Sequence, residues 1–194
     1  MGYPEKKDDK KYTYSDYIKW PDDQQWEIIE GTAYNMSPAP SRTHQKVTIA
    51  ILNEFYNYLK GKPCEVYSAP FDVRLPTGNE EDDDIETVVQ PDIAVICDKS
   101  KLDERGCKGS PDLIVEVVSP STASVDYIKK LNLYEKHKVR EYWIVHPVDK
   151  IVMVYSLLDN KYGRPENFSM EDKVKVKVLG DLIVDLKGIF EGLQ

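Results

Sequence analysis

Two carboxylates lie inside apolar segments that otherwise have the composition of buried β-strands. Asp92 belongs to the segment Val88–Cys97, and Glu116 belongs to the segment Pro111–Val118. Both segments are short, rich in β-branched residues and bounded by turn-forming residues, which predicts a strand for each. A carboxylate in such a strand is costly to bury unless it is hydrogen-bonded, paired with a cation or bound to a metal. Two carboxylates on neighbouring strands would repel each other, and a divalent cation is the usual way to remove that repulsion.

The alternation of side chains along each strand predicts where these carboxylates point. Successive residues of a strand face opposite sides of the sheet, so Glu116 shares a face with Ile114, and Asp92 shares a face with Ala94. If the two faces coincide, Asp92 and Glu116 converge near one end of the sheet.

A basic group for the same site is predicted on the following helix, at about Ser124–His137. At about 100° per residue, this helix has one apolar stripe, formed by Tyr127, Ile128, Leu131 and Tyr134. Lys129 falls nearly opposite the stripe and is expected in solvent. Lys130 falls at the border of the stripe, where its stem can lie along the sheet and its amine can reach a cleft. Lys130 is therefore the better candidate.

The order of these motifs resembles the core of the PD-(D/E)XK nucleases. Pro91-Asp92 takes the place of the first acidic motif, and Glu116-Val117-Val118 takes the place of acid-x-Lys, with Val118 where the superfamily carries its lysine. Over about residues 12 to 185 the chain is similar to the Uma-two family, which is usually labelled restriction endonuclease and treated as a branch whose lysine has migrated to the helix. The matching segments are Trp26–Gly31, Met36–Pro38 with His44, Gln90–Ile93, Glu116–Thr122, Asp126 with Lys130 and Tyr134, and Glu141–Val145.

The resemblance implies a metal-assisted hydrolysis of phosphodiester bonds in DNA, with RNA not excluded. Asp92, Glu116 and the Val117 carbonyl would hold Mg²⁺, or Mn²⁺, in an oxygen-rich site. Lys130 would orient the attacking water or neutralise the scissile phosphate. Resemblance to type II nucleases implies a homodimer. The rival hypothesis is a catalytically inactive nucleic-acid-binding or assembly module that has kept the fold.

Four further residues are possible secondary members of the site, and each also has a structural interpretation. Glu27 lies in a short strand near the N-terminus, which favours a structural role. His44 near a helix start suits packing and site lining equally. Asp72 is more typical of an edge-strand surface. Asp126 lies four residues before Lys130, so an ordinary helix salt bridge is an alternative use of that lysine, as is a structural ion pair between Lys130 and Glu116.

The elements that must position these residues predict one α/β domain over residues 12–194, after a flexible tail at 1–11. The expected fold is a restriction-endonuclease-like mixed sheet flanked by helices, with additional β-hairpins. The remaining predicted elements are a hairpin at Trp26–Met36, a helix at Thr43–Leu59 capped by Ser41, a strand at Cys64–Leu75 interrupted by Pro70, a strand at Glu141–Val145, and strands at Ile151–Leu157, Val174–Leu179 and Leu182–Ile183 that complete the sheet.

Composition limits the class of protein. The net charge of the 194 residues is −8, which argues against a globally basic nucleic-acid binder. Five of the acidic residues form one block, Glu80–Asp84. This block is expected to be a solvated, mobile hairpin loop, with a regulatory or DNA-mimicking loop as the alternative. A narrow cleft can still be locally basic or metal-loaded, so nucleic acid remains a candidate substrate.

The cysteines and the hydropathy predict a cytoplasmic protein that does not bind membranes. Cys64, Cys97 and Cys107 are odd in number and scattered, which favours free thiols in a reducing compartment. No apolar run approaches the roughly 18 to 20 residues that span a bilayer, and the N-terminus lacks the apolar core of a secretory signal.

Overall fold

The computed structural model describes residues 10–21, 25–36, 40–119 and 124–193. Its helices are α1 (Tyr14–Tyr17), α2 (Arg42–Leu59), α3 (Leu131–Lys136) and α4 (Leu186–Phe190), with a π-helix at Val125–Lys130 and short 3-10 helices at Asp82–Asp84, Lys99–Lys101 and Lys177–Leu179. Its strands are β1 (Trp26–Ile29), β2 (Thr32–Asn35), β3 (Glu65–Ser68), β4 (Val73–Arg74), β5 (Val88–Val89), β6 (Ile93–Ile96), β7 (Leu102–Asp103), β8 (Gly106–Lys108), β9 (Leu113–Val117), β10 (Glu141–His146), β11 (Ile151–Leu158), β12 (Lys161–Tyr162), β13 (Glu166–Ser169), β14 (Lys173–Lys175) and β15 (Ile183–Asp185).

Most of these strands belong to two mixed sheets. In one, six strands lie in the order β2-β1-β5-β4-β8-β7, and in the other the order is β12-β11-β10-β9-β6-β3, with β13 paired to β11. Strands β9 and β10 are parallel and are joined through the π-helix and α3, which makes a β-α-β unit. The α/β fold class with a mixed sheet, helices and hairpins is confirmed.

The larger sheet is buried on both faces. On one face the side chains of α2, such as Phe55, pack with Val115 and Trp143. On the other face Ala94 and Ile114 pack with Leu133, Tyr134 and several side chains of the smaller sheet. The side chains of the two acidic segments therefore alternate between the faces as predicted. Asp92 and Glu116 lie toward the face that contains Ala94 and Ile114.

The helix α2 starts and ends where its sequence signals place it. Ser41 Oγ accepts a hydrogen bond from the backbone nitrogen of His44 at 3.2 Å, which satisfies one of the unpaired donors of the first turn. Gly61 follows the helix with a φ of 74°, a conformation that favours glycine. The predicted boundary at Thr43 is one residue from the observed start at Arg42.

The second helix has its predicted extent, but its first part is a π-helix. Hydrogen bonding from i to i+5 rotates each residue less than in an α-helix. The inward face is consequently formed by Val125, Asp126, Lys130, Leu133 and Tyr134. Ile128, predicted in the apolar stripe, has 61% of its surface exposed, so that part of the prediction is wrong.

Two predicted strands divide between the sheets, and two others lie outside the main sheet. The segment Val88–Cys97 forms β5 in one sheet and β6 in the other, because the chain leaves the first sheet at Pro91, which has no N–H to donate. The segment Cys64–Leu75 likewise divides into β3 and β4 on either side of Pro70. The C-terminal strands do not complete the main sheet. They form a separate pair, β14 and β15, whose Val174 and Val184 pack into the core beside α2.

The prediction of three free thiols is wrong for two of them. The antiparallel register of β3 and β6 sets Glu65 opposite Ile96, and the next pair outward is Cys64 and Cys97. These two cysteines form a disulfide with a Cα–Cα distance of 3.9 Å. Cys107 is free and buried.

The acidic block is only partly the solvated loop that was predicted. Asp82 forms an ion pair with the fully buried guanidinium of Arg74, and its other oxygen lies 2.8 Å from Lys108 Nζ. Glu81, Asp83 and Asp84 are exposed. One residue of the block therefore anchors it to the smaller sheet. Among the described residues, no helix has the length and apolar character that crossing a bilayer requires.

Candidate active site

The pairing of β6 with β9 brings the two acidic motifs together. The strands are antiparallel and Ile93 lies opposite Val115, so the same register extended by one residue sets Asp92 opposite Glu116. Asp92 also reaches across to the neighbouring strand, where its Oδ2 accepts a hydrogen bond from the backbone nitrogen of Val117 at 2.7 Å. The structure thus places both carboxylates at one end of the sheet and on one face.

Lys130 lies at the centre of this cluster. Its Nζ is 2.9 Å from Glu116 Oε1, 2.9 Å from Glu27 Oε1 and 4.0 Å from Asp126 Oδ1. All four side chains are between 5% and 6% exposed. Burial alone would lower the pKa of Lys130, but the charges of Glu116, Glu27 and Asp126 outweigh it and raise the pKa well above its usual value. The amine is therefore held as a cation by three elements: the hairpin, the sheet and the π-helix.

The pKa of Glu116 is raised by its surroundings. Its Oε1 accepts a hydrogen bond from the hydroxyl of Tyr134 at 2.9 Å, in addition to the contact with Lys130. Burial raises the pKa of Glu116, Lys130 opposes this, and the charges of Asp126, Asp92 and Glu27 raise the pKa further. The cluster therefore contains more negative charge than its lysine neutralises.

Asp92 and His44 lie at the more accessible side of the cluster. His44 Nε2 is 3.2 Å from Asp92 Oδ2, and the exposed fractions of the two side chains are 13% and 20%. Burial lowers the pKa of His44, but the hydrogen bond and charge of Asp92 and a hydrogen bond to the backbone of Val117 raise it above its usual value. His44 thus connects the start of α2 with the acidic end of the sheet. Of the two roles considered from the sequence, packing and site lining, this position corresponds to site lining.

The remaining secondary candidates separate into two groups. Glu27 and Asp126 join the cluster through Lys130, so the structure places Glu27 at the site although its strand is short. Asp72 instead accepts hydrogen bonds from Tyr17 at 2.8 Å and from the side-chain amide of Gln90 at 2.9 Å. Asp72 therefore belongs to a neighbouring polar network and not to the contacts of Lys130.

Two residues of this region were not singled out for chemistry by the sequence. Tyr134 was assigned to an apolar stripe, yet its buried hydroxyl orients Glu116. Gln90 donates its backbone N–H to Glu27 Oε1 at 2.9 Å and its side-chain amide to Asp72, so it connects the cluster with the neighbouring network. The signal for both was their presence in the segments that resemble the family.

Comparison with known proteins identifies the family. The family described as "Uma2: Putative restriction endonuclease" matches residues 14–187. The chain belongs to the Uma2 family. A relative, the uncharacterized protein slr1290 of Synechocystis sp., is 26% identical over 187 residues, which cover 94% of this chain and 93% of the relative. A crystal structure from Anabaena variabilis, described as a putative nuclease belonging to DUF820, has a TM-score of 0.73 at 20% identity and covers 92% of this chain and 97% of that one. The resemblance to the Uma-two family is thereby confirmed, and the structural likeness shows a shared fold.

The donor set of this Uma2 protein suits a hard divalent cation. Asp92 Oδ1 and Glu116 Oε2 have no hydrogen-bond partner among the described residues, since the contacts of both side chains go through the other oxygen. Carboxylate and carbonyl oxygens are the ligands that Mg²⁺ prefers, and Mg²⁺ keeps several waters. Within the described part of the chain, no three His, Cys, Asp or Glu side chains form a complete metal site. A metal at Asp92 and Glu116 would therefore need the Val117 carbonyl, water and substrate as its other ligands.

Proposed function

We propose that this protein is a metal-dependent endonuclease that hydrolyses phosphodiester bonds in DNA. The proposal follows from one observation: Glu116, on the sheet beside Asp92, lies 2.9 Å from the buried amine of Lys130. Two carboxylates on adjacent strands, one of them in contact with a buried lysine, have the chemistry that cleavage of a phosphodiester requires. Membership of the Uma2 family supports the same class of reaction.

The metal site of the proposal consists of Asp92, Glu116 and the Val117 carbonyl. Mg²⁺ or Mn²⁺ bound there would supply a Lewis acid for the phosphate and lower the pKa of a bound water, worth several kcal/mol of transition-state stabilisation. The rest of the chemistry belongs to the chain. Tyr134 and Lys130 fix one oxygen of Glu116, while His44 and the backbone nitrogen of Val117 fix one oxygen of Asp92.

Lys130 has the position and the charge for an electrostatic role. It remains protonated because Glu116, Glu27 and Asp126 surround it. In a buried site its charge is weakly screened, so it stabilises negative charge that develops on the scissile phosphate more than an exposed lysine would. Glu27 contacts the amine from the hairpin and Glu116 contacts it from the sheet, so the two carboxylates fix the position of the charge.

A nuclease assay combined with calorimetry tests the proposal. The substrates are supercoiled circular DNA, linear duplex, single-stranded DNA and RNA, with Mg²⁺ or Mn²⁺, because only an endonuclease converts a circle to a linear product. Asp92→Asn, Glu116→Gln and Lys130→Met should each lower the cleavage rate by at least about a hundredfold. Lys175→Ala, at an exposed lysine of β14, is the matched control and should cleave normally.

Metal binding by calorimetry separates the parts of the proposal. Asp92→Asn and Glu116→Gln should weaken Mg²⁺ or Mn²⁺ binding, whereas Lys175→Ala should not. A wild-type protein that binds DNA, binds no divalent metal and cleaves none of the substrates would be the inactive module, and the nuclease proposal would then be wrong.

The proposal includes a homodimer and a cytoplasmic location. The homodimer follows from the resemblance to type II nucleases, and multi-angle light scattering after gel filtration measures it directly. The argument for a reducing compartment loses its support from Cys64 and Cys97, since they are bonded to each other. Fractionation of the host cell, followed by detection of the protein, tests the location.

A further inference from the structure

A groove lies beside the proposed active site, between the β1–β2 hairpin and the helix formed by the π-helix and α3. Its volume is about 380 Å³, and its lining includes the apolar side chains Ile29, Ile128 and Leu133 together with Tyr34 and Lys129. The π-helix that turns Lys130 inward leaves Ile128 and Lys129 exposed on this groove. The groove therefore combines an apolar floor, an aromatic ring and a cation.

This groove borders the catalytic cluster at two adjacent contacts between the hairpin and the π-helix. In the hairpin, Tyr34 lies directly opposite Glu27, so their side chains project from the same face. Glu27 contacts Lys130, and Tyr34 contacts Lys129, whose Nζ lies 2.9 Å from its hydroxyl and 4.1 Å from its ring centroid. The contact of Lys130 with Glu27 is buried, the contact of Lys129 with Tyr34 is exposed, and the two lysines are adjacent in the chain.

Lys129 is well suited to bind a phosphate. Among the described residues, it has no carboxylate partner, whereas Lys136 of the same groove is paired with Glu30. A phosphate oxygen can therefore bind Lys129 without breaking an ion pair. On a chain with a net charge of −8, an unneutralised lysine next to the proposed scissile position is a specific local attraction for a nucleic-acid backbone.

The burial of the cluster favours a flexible strand over a rigid duplex. Glu27, Glu116 and Lys130 are only 5% to 6% exposed, so the reacting phosphate must enter a recess. Beyond the groove, a larger cavity of about 570 Å³ is lined by Glu30, Glu80, Asp84 and Glu86, with Lys11 and Lys136. Its excess of carboxylates repels a phosphate backbone, which limits the bound segment to the basic end of the groove.

We propose that the groove formed by Tyr34, Ile128 and Lys129 binds an unpaired segment of nucleic acid next to the scissile phosphate. Lys129 contacts a backbone phosphate, and an unpaired base lies against the ring of Tyr34 and the side chain of Ile128. Aromatic stacking of this kind needs a base that is not paired. This inference rests on the proposed nuclease function and assigns its substrate class as single-stranded or locally unpaired nucleic acid.

Fluorescence anisotropy tests the groove separately from cleavage. A short fluorescein-labelled single-stranded oligonucleotide and the duplex of the same sequence are titrated with protein in Ca²⁺, and a gel confirms that the labelled strand stays intact. Lys129→Ala should weaken binding of the single strand about fivefold and reduce the slope of log K against log salt by about 0.7. Lys129→Arg should restore both values, and Lys175→Ala should match the wild type.

Further variants and substrates decide between the outcomes. Tyr34→Leu, which keeps apolar packing, should weaken single-strand binding about tenfold. The wild type should prefer the single strand to the duplex. The groove is excluded as the binding site if Lys129→Ala binds the single strand as Lys175→Ala does, or if the wild type prefers the duplex. Binding that depends on Lys129 in a wild type that cleaves nothing supports the groove and overturns only the nuclease proposal.

Discussion

Glu116 and Lys130 are 14 residues apart in the chain, and their side chains meet at 2.9 Å in a buried position. Glu116 belongs to the central sheet, and Lys130 belongs to the π-helix that follows it. The same Nζ lies 2.9 Å from Glu27 on the hairpin. A single cation thus connects three elements of the fold, so its removal affects folding and chemistry together.

Replacement of Lys130 by methionine should destabilise the fold. The substitution keeps the volume of the side chain but leaves Glu116 and Glu27 buried without their cation, and breaking a buried pair typically costs about 3–5 kcal/mol. The free energy of unfolding at neutral pH, measured by urea denaturation, should fall by that amount. Part of the loss should be recovered at acidic pH, because protonated carboxyls no longer repel each other.

A double-mutant cycle distinguishes this contact from a general packing defect. Lys130→Met combined with Glu116→Gln removes the cation together with one carboxylate, and the double variant should be more stable than Lys130→Met alone. The coupling free energy is expected to be about 1–3 kcal/mol. Additive effects of the two substitutions would show that the two groups do not interact.

Tyr134→Phe should destabilise the fold more than Tyr142→Phe does. Both tyrosines are fully buried, but the hydroxyl of Tyr134 donates to the carboxylate of Glu116, while that of Tyr142 donates to a backbone carbonyl. Hydrogen bonds to charged groups contribute about 1.5–3 kcal/mol and neutral ones about 0.5–1.5 kcal/mol. Because the pKa of Glu116 is raised, the difference should be largest at alkaline pH, where this carboxyl is ionised. Urea denaturation of the two variants measures it, and equal losses at alkaline pH would contradict a bond from Tyr134 to a charged carboxylate.

Much of the site could be predicted from the sequence because it depends on short-range periodicity. Alternation along each strand placed Asp92 on the face of Ala94 and Glu116 on the face of Ile114. Whether these two faces coincide was left as a condition, and the register of β6 with β9 meets it. The inward position of Lys130 also followed from its angle to the apolar stripe. The π-helix could not be predicted, since the pattern of apolar residues fits an α-helix equally well, and Ile128 was consequently placed on the wrong face.

The errors in the fold arose where the result depends on which sheet a strand joins. The apolar pattern of Val88–Cys97 is continuous, yet its two halves pair with β-strands of different sheets on either side of Pro91. The bond between Cys64 and Cys97 likewise requires the register of β3 with β6, which is a long-range property. Spacing along the chain contains no information about either pairing.

His44 should make the stability of the metal-free protein depend on pH. The pKa of His44 is raised in the folded state, so protonation favours folding. The stabilising contribution is fully present below its unfolded pKa of about 6.5 and is lost as the pH rises through the raised folded value. In EDTA, the difference in unfolding free energy between the wild type and His44→Gln should therefore decrease with rising pH. Asp92→Asn should reduce this dependence, because Asp92 is the largest cause of the raised pKa, and a difference that grows with pH would contradict the contact.

His137 should show the opposite dependence. Burial, followed by the charge of Lys136, lowers the pKa of His137, and its Nε2 is buried without a hydrogen-bond partner among the described residues. Protonation therefore favours the unfolded state, so the stability is fully present above about pH 6.5 and decreases as the pH falls below it. Compared with His137→Gln, the wild type should lose stability on acidification, as measured by thermal unfolding at a series of pH values. An unchanged difference would show that the imidazole is solvated.

The disulfide between Cys64 and Cys97 should stabilise the folded protein by restricting the unfolded chain. The two cysteines are 33 residues apart, and closing a loop of that length is worth about 4 kcal/mol in the chain-entropy account. Dithiothreitol should lower the unfolding free energy of the wild type to that of Cys64→Ser combined with Cys97→Ser, and it should leave the double variant unchanged. Thiol titration of the denatured, unreduced protein should find only Cys107. Three reactive thiols, together with no effect of the reductant on stability, would contradict the disulfide. The register of β3 with β6 would then be maintained by strand pairing alone.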